Sequence, residues 1–291
     1  MSAAAPKSRR MDTYTPETAP VTVNEILDRY EKDCLKQLAP RTRADYRRHI
    51  RHLKARFGPL AAEHLKPKDF GPFLDVRKGR THRVRALAVL SAAFTQAVSY
   101  WYVLERNVLR DVKRPKNPPR DRLVTPEEFI RCQSMASKRV ALAMELALLT
   151  GQRQGDVIGF RWSDIHGMEL HLQQSKTGKR LAIGITPRLE AALDACWQLK
   201  GGGCDGSAFI VPKRNGQPYT SEGFRAVWQR HINRYCRLGN ERFQFRDLRA
   251  MAATSCPTPE AARRLLGHSN ISMTMKVYRR GLEHVDALTP P

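Results

Sequence analysis

The sequence predicts a mainly α-helical chain with a small antiparallel β-sheet, laid out as a helical module followed by a mixed α+β domain. Three observations carry this. Apolar residues recur at helical spacing through residues 21–105. A basic, proline-containing stretch without apolar period follows at 106–122. Beyond it, two alternating apolar runs around a glycine turn interrupt further helical patterns. The 291 residues are enough for two ordinary domains, and 41% hydrophobic content is enough for each to bury a core.

Residues 1–20 mix Ala, Pro, Thr and charge without periodicity and read as an N-terminal arm, with Lys7, Arg9 and Arg10 able to touch a polyanion. The helical module spans 21–105. Thr22 caps a first helix holding Ile26, Leu27 and Tyr30. A second starts near Pro40, with Tyr46, Ile50, Leu53 and Phe57 as its buried stripe and Arg43, Arg47, Arg51 and Lys54 as a basic one. A short helix over 67–78 precedes the run Arg77, Lys78, Arg80, His82, Arg83, Arg85, which enters a long apolar helix through Leu87, Leu90, Phe94, Val98 and Trp101. Residues 106–122 read as a linker, because Pro115, Pro118 and Pro119 break any helix there and the surrounding Lys and Arg suit a charged backbone.

The second domain, 123–291, opens with the helix start Thr125-Pro126-Glu127-Glu128. An apolar helix from Val140 to Leu149 ends at Thr150-Gly151. Met168, Leu170 and Leu172, then Leu181, Ile183 and Ile185, alternate with polar residues on either side of Lys176-Thr177-Gly178-Lys179, which predicts a hairpin. Thr186-Pro187 opens a helix to about Lys200, Gly201–Gly203 form a loop, and Phe209-Ile210-Val211 read as a short strand. Phe224, Val227, Trp228, Ile232 and Tyr235 mark an amphipathic helix. Four short helices finish the chain, the second opened by Thr258-Pro259-Glu260 and closed by Gly267.

Lys and Arg total 51 against 28 Asp and Glu, a net charge of +23. Such an excess repels itself unless a polyanion is the partner, and nucleic acid fits best because each neutralised phosphate releases counterions. A ribosome-associated or histone-like role is a lesser alternative that also accounts for the charge alone. No apolar run reaches transmembrane length, and neither a secretory leader nor a lipidation motif is found, so a cytoplasmic, nucleoid-associated protein is expected. The six cysteines are scattered without a C-x-x-C pair, which fits reduced thiols rather than a zinc site or disulfide frame. No cofactor or metal is expected.

Four further elements stand in order: Thr150-Gly151-Gln152-Arg153-Gln154-Gly155-Asp156; Lys176 on the hairpin turn; Arg246-Asp247-Leu248-Arg249; and Leu265-Leu266-Gly267-His268 followed by Val277-Tyr278. Singly, each has an ordinary explanation, such as a surface arginine, a turn lysine, a helix C-cap or a core tyrosine. Together, behind a basic helical module, they resemble the tyrosine recombinases, also called the phage integrase family. Leu90-Ser91-Ala92-Ala93-Phe94 and Glu105-Arg106-Asn107 add to the resemblance, which covers roughly 21–281.

The resemblance implies a helical core-binding domain and a tyrosine-recombinase catalytic domain gripping opposite faces of DNA as a clamp. It implies a site-specific, phage- or prophage-type integrase with Arg153, Lys176, Arg246, Arg249, His268 and Tyr278 as its catalytic residues, and Asp156 as a supporting acid. Arg43, Arg47, Arg51, Lys54, Arg80, Arg83 and Arg85 would contact DNA. Implied partners are double-stranded attachment sites, a homotetramer on paired sites from a free monomer, and an excisionase or DNA-bending host protein. A catalytically inactive DNA-binding relative and a type IB topoisomerase are the competing readings.

Three departures from the family pattern stand out. Arg246 occupies a position usually held by His, and an arginine cannot accept a proton. The His268–Tyr278 spacing is one residue longer than usual, with Tyr219 and Tyr235 as alternative nucleophiles. No space precedes residue 21 for a separate arm-binding domain, which points to a two-domain enzyme.

Overall fold

In the computed structural model, which describes residues 20–76, 79–115, 120–199 and 208–275, the chain divides into two units, Met1–Pro118 and Pro119–Pro291, each with its own apolar core. The N-terminal arm, the glycine run at 201–203, Tyr278 and the C-terminal tail lie outside the described residues.

The first unit is built from α1 (Val23–Asp33), α2 (Pro40–Phe57), α3 (Gly71–Asp75) and α4 (Arg80–Ser99). Thr22 starts α1 with a capping box: its Oγ1 accepts from Glu25 N, and the Glu25 carboxylate accepts from Thr22 N at 2.7 Å. Such a cap stabilises by about 1 kcal/mol. Pro40 sits at the start of α2, where its missing N–H costs nothing. Ile26, Leu27, Ile50, Leu53, Phe57, Phe70, Leu87, Leu90 and Phe94 are all buried in this core, each contributing about 1.5–3 kcal/mol through burial.

Two expectations for this unit change. The long helix ends at Ser99, short of Trp101. The amides of Tyr100 and Trp101 both bond to Gln96 O, and the chain folds back so that Trp101 packs on the core under the Arg29 guanidinium, 4.5 Å from its ring centre. The 106–122 stretch is not all linker. Asn107 Oδ1 accepts from Leu109 N, its Nδ2 donates to Ser91 O at 2.8 Å, and Val108 and Leu109 are buried with α4. A single apolar pair has no period, so its burial left no pattern to read.

The second unit begins with α5 (Pro126–Ser134), capped by Thr125 and Glu128, then α6 (Lys138–Thr150) and the one-turn α7 (Gln154–Val157). A three-stranded antiparallel sheet follows: β1 (Ile165–His166), β2 (Glu169–Gln173) and β3 (Arg180–Gly184), ordered β1-β2-β3. Leu170 pairs with Ile183 and Leu172 with Leu181, as the alternation requires. β1, two residues long, carries no alternation and was not foreseen. Phe209-Ile210-Val211 does not form a strand: Phe209 makes one isolated bridge to Arg161, and Ile210 and Val211 are buried side by side instead of alternating. The unit continues with α8 (Pro187–Gln198), α9 (Ser221–Arg237), α10 (Asp247–Thr254), α11 (Pro259–Leu266) and α12 (Ile271–Met273). α6 packs against α8 and α10, with Tyr235, Phe243, Phe245 and Trp228 in edge and tilted ring contacts beneath.

Candidate active site

The ends of α6 and α11 meet, and two glycines permit it. Gly151 leaves α6 at φ +64°, and a Cβ on it would lie 3.1 Å from Leu266 Cδ2. Gly267 leaves α11 at φ +67°, and a Cβ there would lie 2.9 Å from Gln174 Nε2. Both positions therefore need glycine for conformation and for space.

A helix leaves its last four carbonyls without intrahelical partners. In α11 all four are satisfied, and the donors are residues of the candidate site. Arg263 O and Arg264 O accept from the amides of His268 and Gly267 at 3.1 and 3.0 Å. Leu265 O accepts from Gln152 Nε2 at 2.9 Å. Leu266 O accepts from Gln174 Nε2 at 2.9 Å and from Arg249 Nη2 at 2.7 Å. Arg249 also donates through Nη1 to Gly151 O at 2.6 Å. The end of α11 is thus the anchor on which four sequence motifs are assembled.

Gln174 is the hub, fully buried directly after β2. Its Nε2 also donates to Gln152 Oε1 at 2.8 Å, and its Oε1 accepts from Arg153 Nη1 at 3.0 Å and from Thr177 Oγ1 at 2.8 Å. One amide thereby fixes Arg153 and the hairpin turn that carries Lys176. Asp156, buried on α7, holds the same turn from its other side: its Oδ1 accepts from Ser175 N at 2.9 Å and from Ser175 Oγ at 2.6 Å. Its Oδ2 lies 3.9 Å from Arg153 Nη1. Lys176 itself is exposed on the turn.

Arg249, on α10, is only 2% exposed, and its Nη2 stands 3.1 Å from His268 Nε2. A guanidinium only donates, so Nε2 accepts and His268 carries its proton on Nδ1, which donates to Thr274 Oγ1 at 2.8 Å. Burial, with the charges of Arg249, Arg153 and Lys179, pushes the His268 imidazole down to about 4, so it is neutral at ordinary pH. Arg246 begins α10, exposed and without a hydrogen-bond or ion-pair partner among the described residues.

Arg153, Arg249 and His268 are therefore brought together, with the Lys176 turn tied to them through Gln174, and Arg246 three residues before Arg249. The two alternative tyrosines sit in packed surroundings. Tyr235 is fully buried with its hydroxyl on Glu128 O, and Tyr219 is half-buried edge-on to Phe224. Among the described residues, no group of three His, Cys, Asp or Glu side chains is placed to hold a metal, and none of the five described cysteines forms a disulfide.

Other basic residues serve the protein's own structure. Arg47 pairs with Glu31 at 3.1 Å and Lys54 with Asp28, so carboxylates on α1 neutralise part of the stripe that looks uniformly positive in sequence. Arg43 donates to the carbonyls of Lys36 and Leu38, and Arg83 to Val76 O. Arg51, Arg80 and Arg85 remain exposed. In the linker, Arg120 grips the fully buried Asp247 carboxylate at 2.9–3.1 Å, and Arg122 pairs with Glu128 and Glu241. These two linker arginines are thus held by carboxylates of the second unit.

Sequence reasoning missed Gln152, Gln174, Ser175, Asp247 and Thr274. Gln174 did leave a signal: it continues the inward alternation Leu170, Leu172, 174, where a core residue belongs. A polar side chain at such a position must find partners.

Comparison with known proteins places this arrangement. The "Phage integrase family" description matches residues 125–284. The integrase of Escherichia phage lambda is 27% identical over 287 residues, covering 90% of this chain and 78% of that one. Among solved structures, a lambda integrase (75–356) dimer bound to a COC′ core site superposes with a TM-score of 0.80 at 25% identity, covering 91% of this chain and 99% of the other. A lambda integrase tetramer bound to a Holliday junction gives 0.78 at 25% identity, covering 92% and 81%.

Proposed function

The chain belongs to the phage integrase family and is a tyrosine-type site-specific DNA recombinase, and from that premise we propose that Tyr278 is its nucleophile and that Arg153, Lys176, Arg246, Arg249 and His268 serve the same phosphate. The observation that carries this is the Arg249–His268 contact beside Arg153, all secured to the end of α11.

The chemistry follows from the residue types. Tyr278 Oη attacks the scissile phosphorus, forming a 3′-phosphotyrosine and breaking the bond to the 5′ oxygen, which leaves as a hydroxyl with a proton from Lys176. A second 5′ hydroxyl then attacks the phosphotyrosine and releases the tyrosine. One phosphoester replaces another at each step, so no ATP is consumed. Arg153 and Arg249 offer planar forks to the non-bridging oxygens, and Arg246 adds a third guanidinium. Each such donor is worth about 3 kcal/mol at the transition state. Arg246 cannot take the Tyr278 proton. Neutral His268 can, and an arriving phosphate, by offsetting the guanidinium charges, raises its affinity for a proton.

We further propose that DNA attachment sites are the substrate, integration and excision of a mobile element the outcome, and a tetramer on two paired sites the working form, with an excisionase or DNA-bending protein setting direction. The lambda integrase tetramer on a Holliday junction supports the assembly. Arg51, Arg80 and Arg85 are the exposed DNA contacts of the first unit in this reading. The test is incubation with a suicide attachment-site DNA nicked beside the cleavage position. An SDS-stable adduct that disappears in Tyr278→Phe supports the reading, and its absence with DNA bound overturns it.

A further inference from the structure

Residues 269–275, which follow α11, offer little to hold them among the described residues. Ile271, Met273 and Met275 are exposed, each by more than two fifths, and Ser272 is exposed beside them. Thr274 alone among residues 269–275 is buried, at 0%. Its hydroxyl meets His268 Nδ1 at 2.8 Å, six residues back and four residues before Tyr278. A buried threonine hydroxyl on an otherwise exposed strip is costly unless bonded.

We propose that Thr274 is the positioning residue for His268, setting which imidazole nitrogen faces the phosphate. This rests on the proposed role of His268 at the tyrosine.

A neutral imidazole has one N–H and one lone pair. The Thr274 oxygen accepts from Nδ1–H, which leaves the lone pair on Nε2, the nitrogen facing Arg249. Only that tautomer presents a proton acceptor on the side where Arg249 and Arg153 gather phosphate oxygens. Without the hydroxyl, Nδ1–H would lose its Thr274 acceptor, and the ring would gain by flipping or by moving its proton to Nε2. Either change puts a donor against the Arg249 guanidinium, which can only donate, and removes the acceptor. The logic is that of a partner holding a catalytic histidine in the productive tautomer, here supplied by a hydroxyl instead of a carboxylate.

The test uses the full chain on suicide attachment-site DNA. Thr274→Val keeps the shape and removes the hydroxyl. Its single-turnover adduct formation should fall by about tenfold or more, the scale of one lost buried hydrogen bond at a transition state, while DNA affinity stays unchanged. Thr274→Ser should recover to within about threefold of the parent. The independent readout is the ¹⁵N spectrum of the His268 ring. In the parent chain Nδ1 should carry the proton, and in Thr274→Val the proton should shift to Nε2. A parent spectrum with Nε2 protonated overturns the proposal even if Thr274→Val does not fold. Parent-level cleavage by Thr274→Val with an unchanged spectrum overturns it as well. If Tyr278→Phe still forms the adduct, it is the underlying nucleophile reading that fails.

Discussion

Arg249 Nη2 donates to His268 Nε2 at 3.1 Å, between two residues that are 2% and 5% exposed. A permanent cation that close to a buried imidazole fixes both its tautomer and its charge. The site rests with its histidine neutral and its arginines already seated, so the phosphate meets donors that need no rearrangement.

This neutrality has a pH signature. An ordinary imidazole protonates near 6.5, whereas His268 in the folded chain does so at about 4. Between those values the unfolded chain binds the extra proton and the native chain does not, so stability rises with pH across that window and is lost as pH falls through it. His268 contributes at most about 3 kcal/mol to the change. His49, His82 and His231 are shifted in the same direction, chiefly by burial, and steepen it. Urea unfolding at several pH values between 4.5 and 7 should show a clearly shallower dependence in His268→Gln than in the parent. Equal slopes would mean His268 is not buried neutral.

Gln174 is the amide on which Arg153 and the Lys176 turn depend. Gln174→Glu keeps its volume but turns two donations, to Gln152 Oε1 and Leu266 O, into acceptor-on-acceptor contacts. A loss of about 2–4 kcal/mol is expected, lowering the melting temperature of this unit by roughly 5–10 °C. Differential scanning calorimetry measures it, and an unchanged transition would show that the network is not needed.

Arg120 separates the structural from the DNA-tracking reading of the linker. Removing it takes the Arg120 ion pair from the fully buried Asp247 carboxylate, a loss of about 3 kcal/mol or more. A linker arginine that touches only DNA would change affinity and leave stability alone. Denaturant titration of Arg120→Ala, with the exposed linker residue changed in Lys113→Ala for comparison, distinguishes the two.

The elements set by neighbours in sequence were legible, and those set by distant partners were not. Thr22, Thr125, Thr186, Thr220 and Thr258 each accept from an amide three residues on, and Gly267 closes α11 with a positive φ, all within one turn of chain. The two-residue β1 exists only because β2 pairs with it, and Val108 and Leu109 are buried only because α4 is there. In the site, the charged residues of the motifs could be read, since unusual residues in a fixed order stand out. Gln152 and Gln174 could not be assigned partners, because the Leu265 and Leu266 carbonyls they satisfy lie 113 and 92 residues away. The ion pairs of Arg47 and Lys54 could not be read for the same reason, their carboxylates lying 16 and 26 residues upstream.

Arg246 stands exposed at the start of α10 with no hydrogen-bond or ion-pair partner among the described residues, so it holds nothing together. Arg246→His should therefore fold normally and keep or raise the cleavage rate, since it trades a phosphate donor for a group that can accept a proton. Single-turnover cleavage checks this, and complete loss of activity would reveal a structural role for the arginine.

The central claim is that Tyr278 carries the DNA. The most direct measurement is to trap the adduct on suicide attachment-site DNA, digest both polymers and locate the residual nucleotide by mass spectrometry. The account predicts a 3′-nucleotide linked to the peptide containing Tyr278 and none on Tyr219 or Tyr235. A nucleotide on any other residue, or no covalent nucleotide from DNA that is bound and cut, would contradict it.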